Sequence, residues 1–237
     1  MTIDAPWLTG RLPRAASTIY AVIGVVGAVL WLATTFRPAS VPAWAPYEFS
    51  WPIYLAVTLL GFWFARGLGC LPEAERPRIW RQAAFWVGLG LLWAVTQTGF
   101  EYLAQRMFFT NRLQHVAMHH IGPVLLALSA GGPAVLAGAP GWLRASCEHR
   151  AARRLYSAFQ HPVVAVVLFV GLFWFWLIPP VHFVAMLDPV LYQVMNWSMV
   201  VDGVLFWALV LDTRPAPPAR VRFGFRAALA VGVMFPQ

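Results

Sequence analysis

Charge is scarce in this chain: 11% of its 237 residues are charged and 60% are hydrophobic. A water-soluble domain would need far more polar surface, so the expected fold is all-α, a polytopic transmembrane helix bundle. Lysine is absent, all 17 basic residues being arginine, and there are only two cysteines, Cys70 and Cys147. So few thiols exclude a disulfide framework and leave histidine, methionine and carboxylate as the candidates for metal chemistry. Low-complexity stretches and internal repeats are also missing, and the Pro-rich piece 214–218 reads as a connector. No cleavable leader is expected, because the first apolar run passes through Arg37-Pro38-Ala39-Ser40-Val41-Pro42 into another span.

What is abundant is apolar sequence. A span takes roughly 20 residues, which leaves room for about seven. The candidates are 19–36, 49–65, 83–103, 108–130, 161–181, 189–211 and the stretch from 223 onward, forming one membrane domain over residues 1–237. The last run stops before it could cross, so the chain is expected to end inside a helix, truncated at its carboxyl end.

The arginines orient the bundle. All but Arg37, Arg106 and Arg112 fall in four regions that alternate spans place on one side: Arg11 and Arg14; Arg66 to Arg81; Arg144 to Arg154; and Arg214 to Arg226. The positive-inside rule makes that side, and the amino terminus, cytoplasmic. The net charge of +8 is then a topology signal; scattered over short loops, it forms no nucleic-acid stripe. Membrane lipid is the expected surroundings, and both cysteines face the reducing side.

Three of the six histidines lie in Gln114-His115-Val116-Ala117-Met118-His119-His120-Ile121-Gly122-Pro123, where the fourth span begins near the outer surface. Imidazole and thioether are good copper ligands and poor residues for lipid. At helical spacing His115, Met118 and His119 share a face, with His120 turned aside. A single interfacial histidine would more simply hydrogen-bond a neighbouring helix or headgroup. For His120 the ligand and packing readings stay open. Pro179-Pro180 should break the fifth span and bring His182 to the same side, followed by Met186. Met195 and Met199 on the sixth span are further candidates, although either could be core filler. An unpaired charge at mid-membrane costs at least about 2.5 kcal/mol, so Glu101 and Asp202 need explaining. Glu101 could bind metal or accept from a ligand histidine; Asp202 is either a buried polar contact or a support for a ligand. His161 reads as a cap or interface anchor on the inner side, and His149 as a solvated loop residue.

The strings from His115 to Leu128, His161 to Phe169, Pro179-Pro180-Val181-His182, Asp188-Pro189 and Asn196 to Trp207 resemble the CtaG-type cytochrome c oxidase assembly proteins. The resemblance covers about residues 114–237. It implies a multi-span factor of the bacterial inner membrane, not an enzyme, that helps to build haem-copper oxidases and is thought to supply copper. The implied partners are oxidase subunit I and a periplasmic copper donor, with a homodimer as a further expectation. The carried-over positions are His115, His119 and His182. Where many relatives have a histidine in the sixth span, Asn196 stands, which gives Met195, Met199 or Glu101 more weight. Other readings are a membrane haem protein with His115 and His182 as axial ligands, a metal-free structural factor, and a histidine-box di-iron enzyme. The last needs about eight cytoplasmic histidines.

With histidine and methionine as ligands and no thiolate, the expected cargo is Cu(I), bound reversibly. A cysteine introduced near residue 185 should react with an impermeant reagent in intact cells; labelling that requires exposure of the inner face would reverse the topology.

Overall fold

The computed structural model describes residues 14–42, 44–212 and 221–234; Arg11, Arg214, Arg220 and the whole 214–218 connector therefore lie outside the described residues. The amino-terminal half comprises α1 (Arg14–Phe36), α2 (Trp51–Cys70), α3 (Ile79–Gln97), α4 (Gly99–Arg106), α5 (Phe108–Val116), a π turn (Ala117–Ile121), α6 (Gly122–Ser129) and α7 (Gly132–Gly138). There follow α8 (Gly141–Glu148), α9 (Arg150–Phe159), α10 (Pro162–Leu177), α11 (Pro179–Leu187), α12 (Pro189–Val210) and α13 (Phe223–Gly232).

The all-α expectation holds for the described residues, but the span count changes. Helices α1, α2 and α12 are each long and apolar enough to cross a membrane. Three more spans are possible only as bent pairs: α3 with α4 at 59°, α5–α6 with α7 at 74°, and α9 with α10 at 69°. Three to six spans thus stand where hydrophobic runs gave about seven, and α13, with ten residues, is below spanning length.

Each bend has a local cause. At α3–α4, the Thr98 hydroxyl donates to the Ala94 carbonyl at 2.6 Å and accepts from Phe100 N–H at 3.2 Å, ending one helix and capping the next. At α6–α7, Ala130 adopts φ 48°, a left-handed conformation that terminates α6. Pro179-Pro180 stops α10 as expected. Proline is well suited to the first turn of a helix, however, so the chain resumes at once as α11, and His182 sits on a helix.

Helix α12 is the central element, packing on α6, the π turn, α10 and α11. Its start is fixed by Asp188, whose carboxylate accepts from the Val190 and Leu191 N–H groups at 2.8 and 2.9 Å. Helix α7 folds back on α2, where a Cβ at Gly67 would strike the Ala134 carbonyl. Small residues of this kind let membrane helices approach backbone to backbone.

The π turn precedes Pro123, which has no N–H to donate to the His119 carbonyl and whose ring would crowd it in a regular helix. Widening the turn relieves that conflict. Gly203 of α12 then packs over the same carbonyl, and a Cβ there would lie 2.6 Å from it. Gly203→Ala should cost about 1–3 kcal/mol through overpacking, read as a lower unfolding midpoint in detergent. Gly90→Ala, with nothing within 4 Å of the added Cβ, should be neutral or slightly stabilising.

Candidate functional site

His115 and His119 are buried, at 2% and 0% exposure. Both are enclosed inside the bundle by α11 and α12 packed on α5 and the π turn, so their rings fill interior space and do not face lipid. His115, near the end of α5, has no hydrogen bond to either ring nitrogen. Its ring faces that of His182 edge-on, with centroids 6.4 Å apart and planes at 80°. Arg112 Nη2 lies 3.3 Å from His182 Nε2. A guanidinium can only donate, so that nitrogen is the acceptor. Burial, then the Arg112 charge, push the His182 pKa below the ordinary imidazole value, which keeps the ring neutral at neutral pH with its lone pair turned to Arg112.

His119 belongs to a second, deeper group. Its ring stacks on Phe169 at 4.0 Å between centroids and 22° between planes. Its Nε2 stands 3.5 Å from Asp202 Oδ2, the place expected of a carboxylate that orients an imidazole. His120 is half-buried and turned toward Phe169 and Trp207, with its ring centroid 4.9 Å from that of His119. The shared face expected of His115, Met118 and His119 is not kept across the π turn. His115 meets His182 and His119 meets Asp202, while Met118 packs with Leu92, Val95 and Ala117.

Met195 and Met199 are fully buried in an apolar cluster with Trp176, Ala185 and Tyr192. Asn196 is buried beside them on α12. Glu101, in the first turn of α4, is 4% exposed, and its Oε2 makes no hydrogen bond. Among the described residues no three histidine, cysteine, aspartate or glutamate side chains converge as a metal-binding group. His161 stands exposed before α10 without a side-chain cap, and His149 caps α9, accepting from Ala151 N–H at 3.3 Å.

Polar links that hydropathy does not mark tie the site together. Tyr192 donates its hydroxyl hydrogen to Gln114 Oε1 at 2.7 Å, and Gln114 Nε2 donates to the Val95 carbonyl at 2.6 Å, joining α12, α5 and α3. Asn111 Nδ2 reaches Met186 Sδ at 3.7 Å. Arg112 reads in the sequence as an outward charge; its position three residues before His115 was the available signal that it shares the histidine's face.

The profile of a family described as "Cytochrome c oxidase caa3 assembly factor (Caa3_CtaG)" matches residues 59–237, more than half of the chain. Among curated proteins and among solved structures, nothing matches.

Because His115 and His119 fill space in the interior, His115→Ala and His119→Ala should each destabilise the fold by about 2–5 kcal/mol, the range for large-to-small changes in a core. His161→Ala, at an exposed site, should stay within about 0.5 kcal/mol. Unfolding midpoints of the three variants in one detergent would check this, and equal midpoints would contradict the burial.

Proposed function

Because this chain belongs to the cytochrome c oxidase caa3 assembly factor family, we propose that it handles Cu(I) for a haem-copper oxidase, receiving the ion at the outer end of its bundle and aiding insertion into subunit I. The observation that carries this reading is the buried His115 ring, which faces His182 with both of its nitrogens free of hydrogen bonds. A buried polar atom left unsatisfied costs about 1–3 kcal/mol. A soft cation bound there would remove that cost.

His115 and His182 are the two imidazoles nearest to forming a clip, and two-coordinate nitrogen ligation suits Cu(I). His119 is the third candidate, stacked on Phe169, with Asp202 Oδ2 3.5 Å from its Nε2 and no hydrogen bond to either ring nitrogen. Met118, Met195, Met199, His120 and Glu101 are further groups that the ion could use in transit, with Asn196, buried on α12 beside Met195, as a supporting polar group. Delivery is ligand exchange: the Cu–N bonds to this chain break as bonds to the client form, with no change of oxidation state, so the protein is a carrier and not an enzyme. A bacterial inner-membrane location with a cytoplasmic amino terminus puts His115 and His182 on the periplasmic side, where a copper donor and a second copy of the chain would have access. The metal-free structural role is the second reading, favoured by the lack of any three convergent ligands.

Metal analysis of protein purified under reducing conditions separates the two. Wild type should hold stoichiometric, chelator-extractable Cu(I), and a His115→Gln, His182→Gln variant should lose affinity by about tenfold or more, as loss of metal-supporting groups commonly does. Glutamine keeps the volume and polarity of the site, so folding is preserved. Undiminished copper in the variant, or none in wild type, would favour the structural role.

A further inference from the structure

Arg112 is outside the ligand set, yet it touches one of its members. It lies three residues before His115 on α5, on the same helical face, with Nη2 3.3 Å from His182 Nε2. Its guanidinium carbon sits 4.8 Å from the Phe108 ring centroid. Nε and Nη1 are buried without a hydrogen-bond partner, and among the described residues no carboxylate forms an ion pair with the group. A guanidinium stays charged at any physiological pH. The histidine pair is therefore built beside a fixed and uncompensated positive charge.

Such a charge is costly to keep at a site whose only task is to attract a cation. Its value lies in discrimination. Imidazole sites by themselves bind Cu(II) and Zn(II) well, and nothing in two or three histidines rejects a divalent ion. Coulomb repulsion scales with the product of the charges, so at equal distance a divalent ion meets twice the repulsion that a monovalent ion does. Partial burial limits screening by salt. Displacing Arg112 from His182 Nε2 is a cost common to both ions, whereas the remaining repulsion depends on their charge.

We propose that Arg112 sets the charge selectivity of the His115–His182 site, disfavouring divalent cations so that Cu(I) is accepted in preference to Zn(II). This rests on the copper-handling reading of the same two histidines, and it adds a residue that touches neither the cargo nor the client.

The test compares Cu(I) and Zn(II) affinities, by chelator competition in detergent, for wild type, Arg112→Gln, Arg112→Lys and Arg106→Gln. Arg106 supplies the control because its guanidinium packs 4.3 Å from the Tyr102 ring centroid. Arg112→Gln should gain Zn(II) affinity by at least about tenfold more than it gains Cu(I) affinity, given a doubled repulsion. Arg112→Lys, which keeps the charge and loses the planar fork, should keep the wild-type ratio. Arg106→Gln should leave it within about twofold, as expected of an exposed charge screened by salt. An unchanged ratio in Arg112→Gln with copper still bound overturns the selectivity role alone. Failure of both wild type and Arg112→Gln to bind Cu(I) overturns it together with the copper reading.

Discussion

A ring nitrogen buried in an apolar bundle needs a partner, and that requirement shapes the arrangement around the histidines. Asp202 reaches His119 only because α12 comes close to the π turn, and α12 comes close only because residue 203 is glycine. The π turn in turn follows from Pro123, which cannot complete a regular turn over the His119 carbonyl. Three local features of sequence thus combine to hold one imidazole against one carboxylate, with Phe169 stacked on the ring's face.

The requirement is not met by a hydrogen bond at either histidine: the ring nitrogens of His119, like those of His115, have none, and Asp202 approaches only to 3.5 Å. Gln114 and Tyr192 satisfy each other across α5 and α12, and Arg112 reaches His182, but His115 keeps two nitrogens unpartnered. Helices joined by Gln114, Tyr192 and Asn111 hold the pair in place and leave both His115 nitrogens unoccupied, while His182 Nε2 accepts from Arg112, which an incoming ion would have to displace. A cargo site must also release, and a pair of imidazoles beside a guanidinium binds less tightly than a closed cage would.

Much of the fold was legible in the apolar runs, and the exceptions have physical reasons. Helices α1, α2 and α12 lie where hydropathy put them, since an unbroken run of about 20 residues has one economical conformation in a bilayer. Hydropathy does not register the bends at Thr98 and Ala130, which depend on a hydroxyl cap and a left-handed residue, so a count of runs does not separate a straight span from a bent pair. At the site, the residue types and the family were readable from His115, His119, His182 and the motif around Asp202. Their division into two groups was not, because a regular helical period cannot foresee a π turn. The role open to Arg112 was hidden for a similar reason: in a tally of loop charges it counts toward topology, and only the packing of α11 on α5 brings it to His182.

The copper content of the client tests the central claim most directly. Haem-copper oxidase would be purified at limiting copper from cells carrying either the wild-type chain or the His115→Gln, His182→Gln variant, and its copper-to-haem ratio measured. With the variant, the account expects oxidase polypeptides and haem to be present and copper in subunit I to be depleted, with recovery when copper is supplied in excess. A full copper complement with the variant would contradict it.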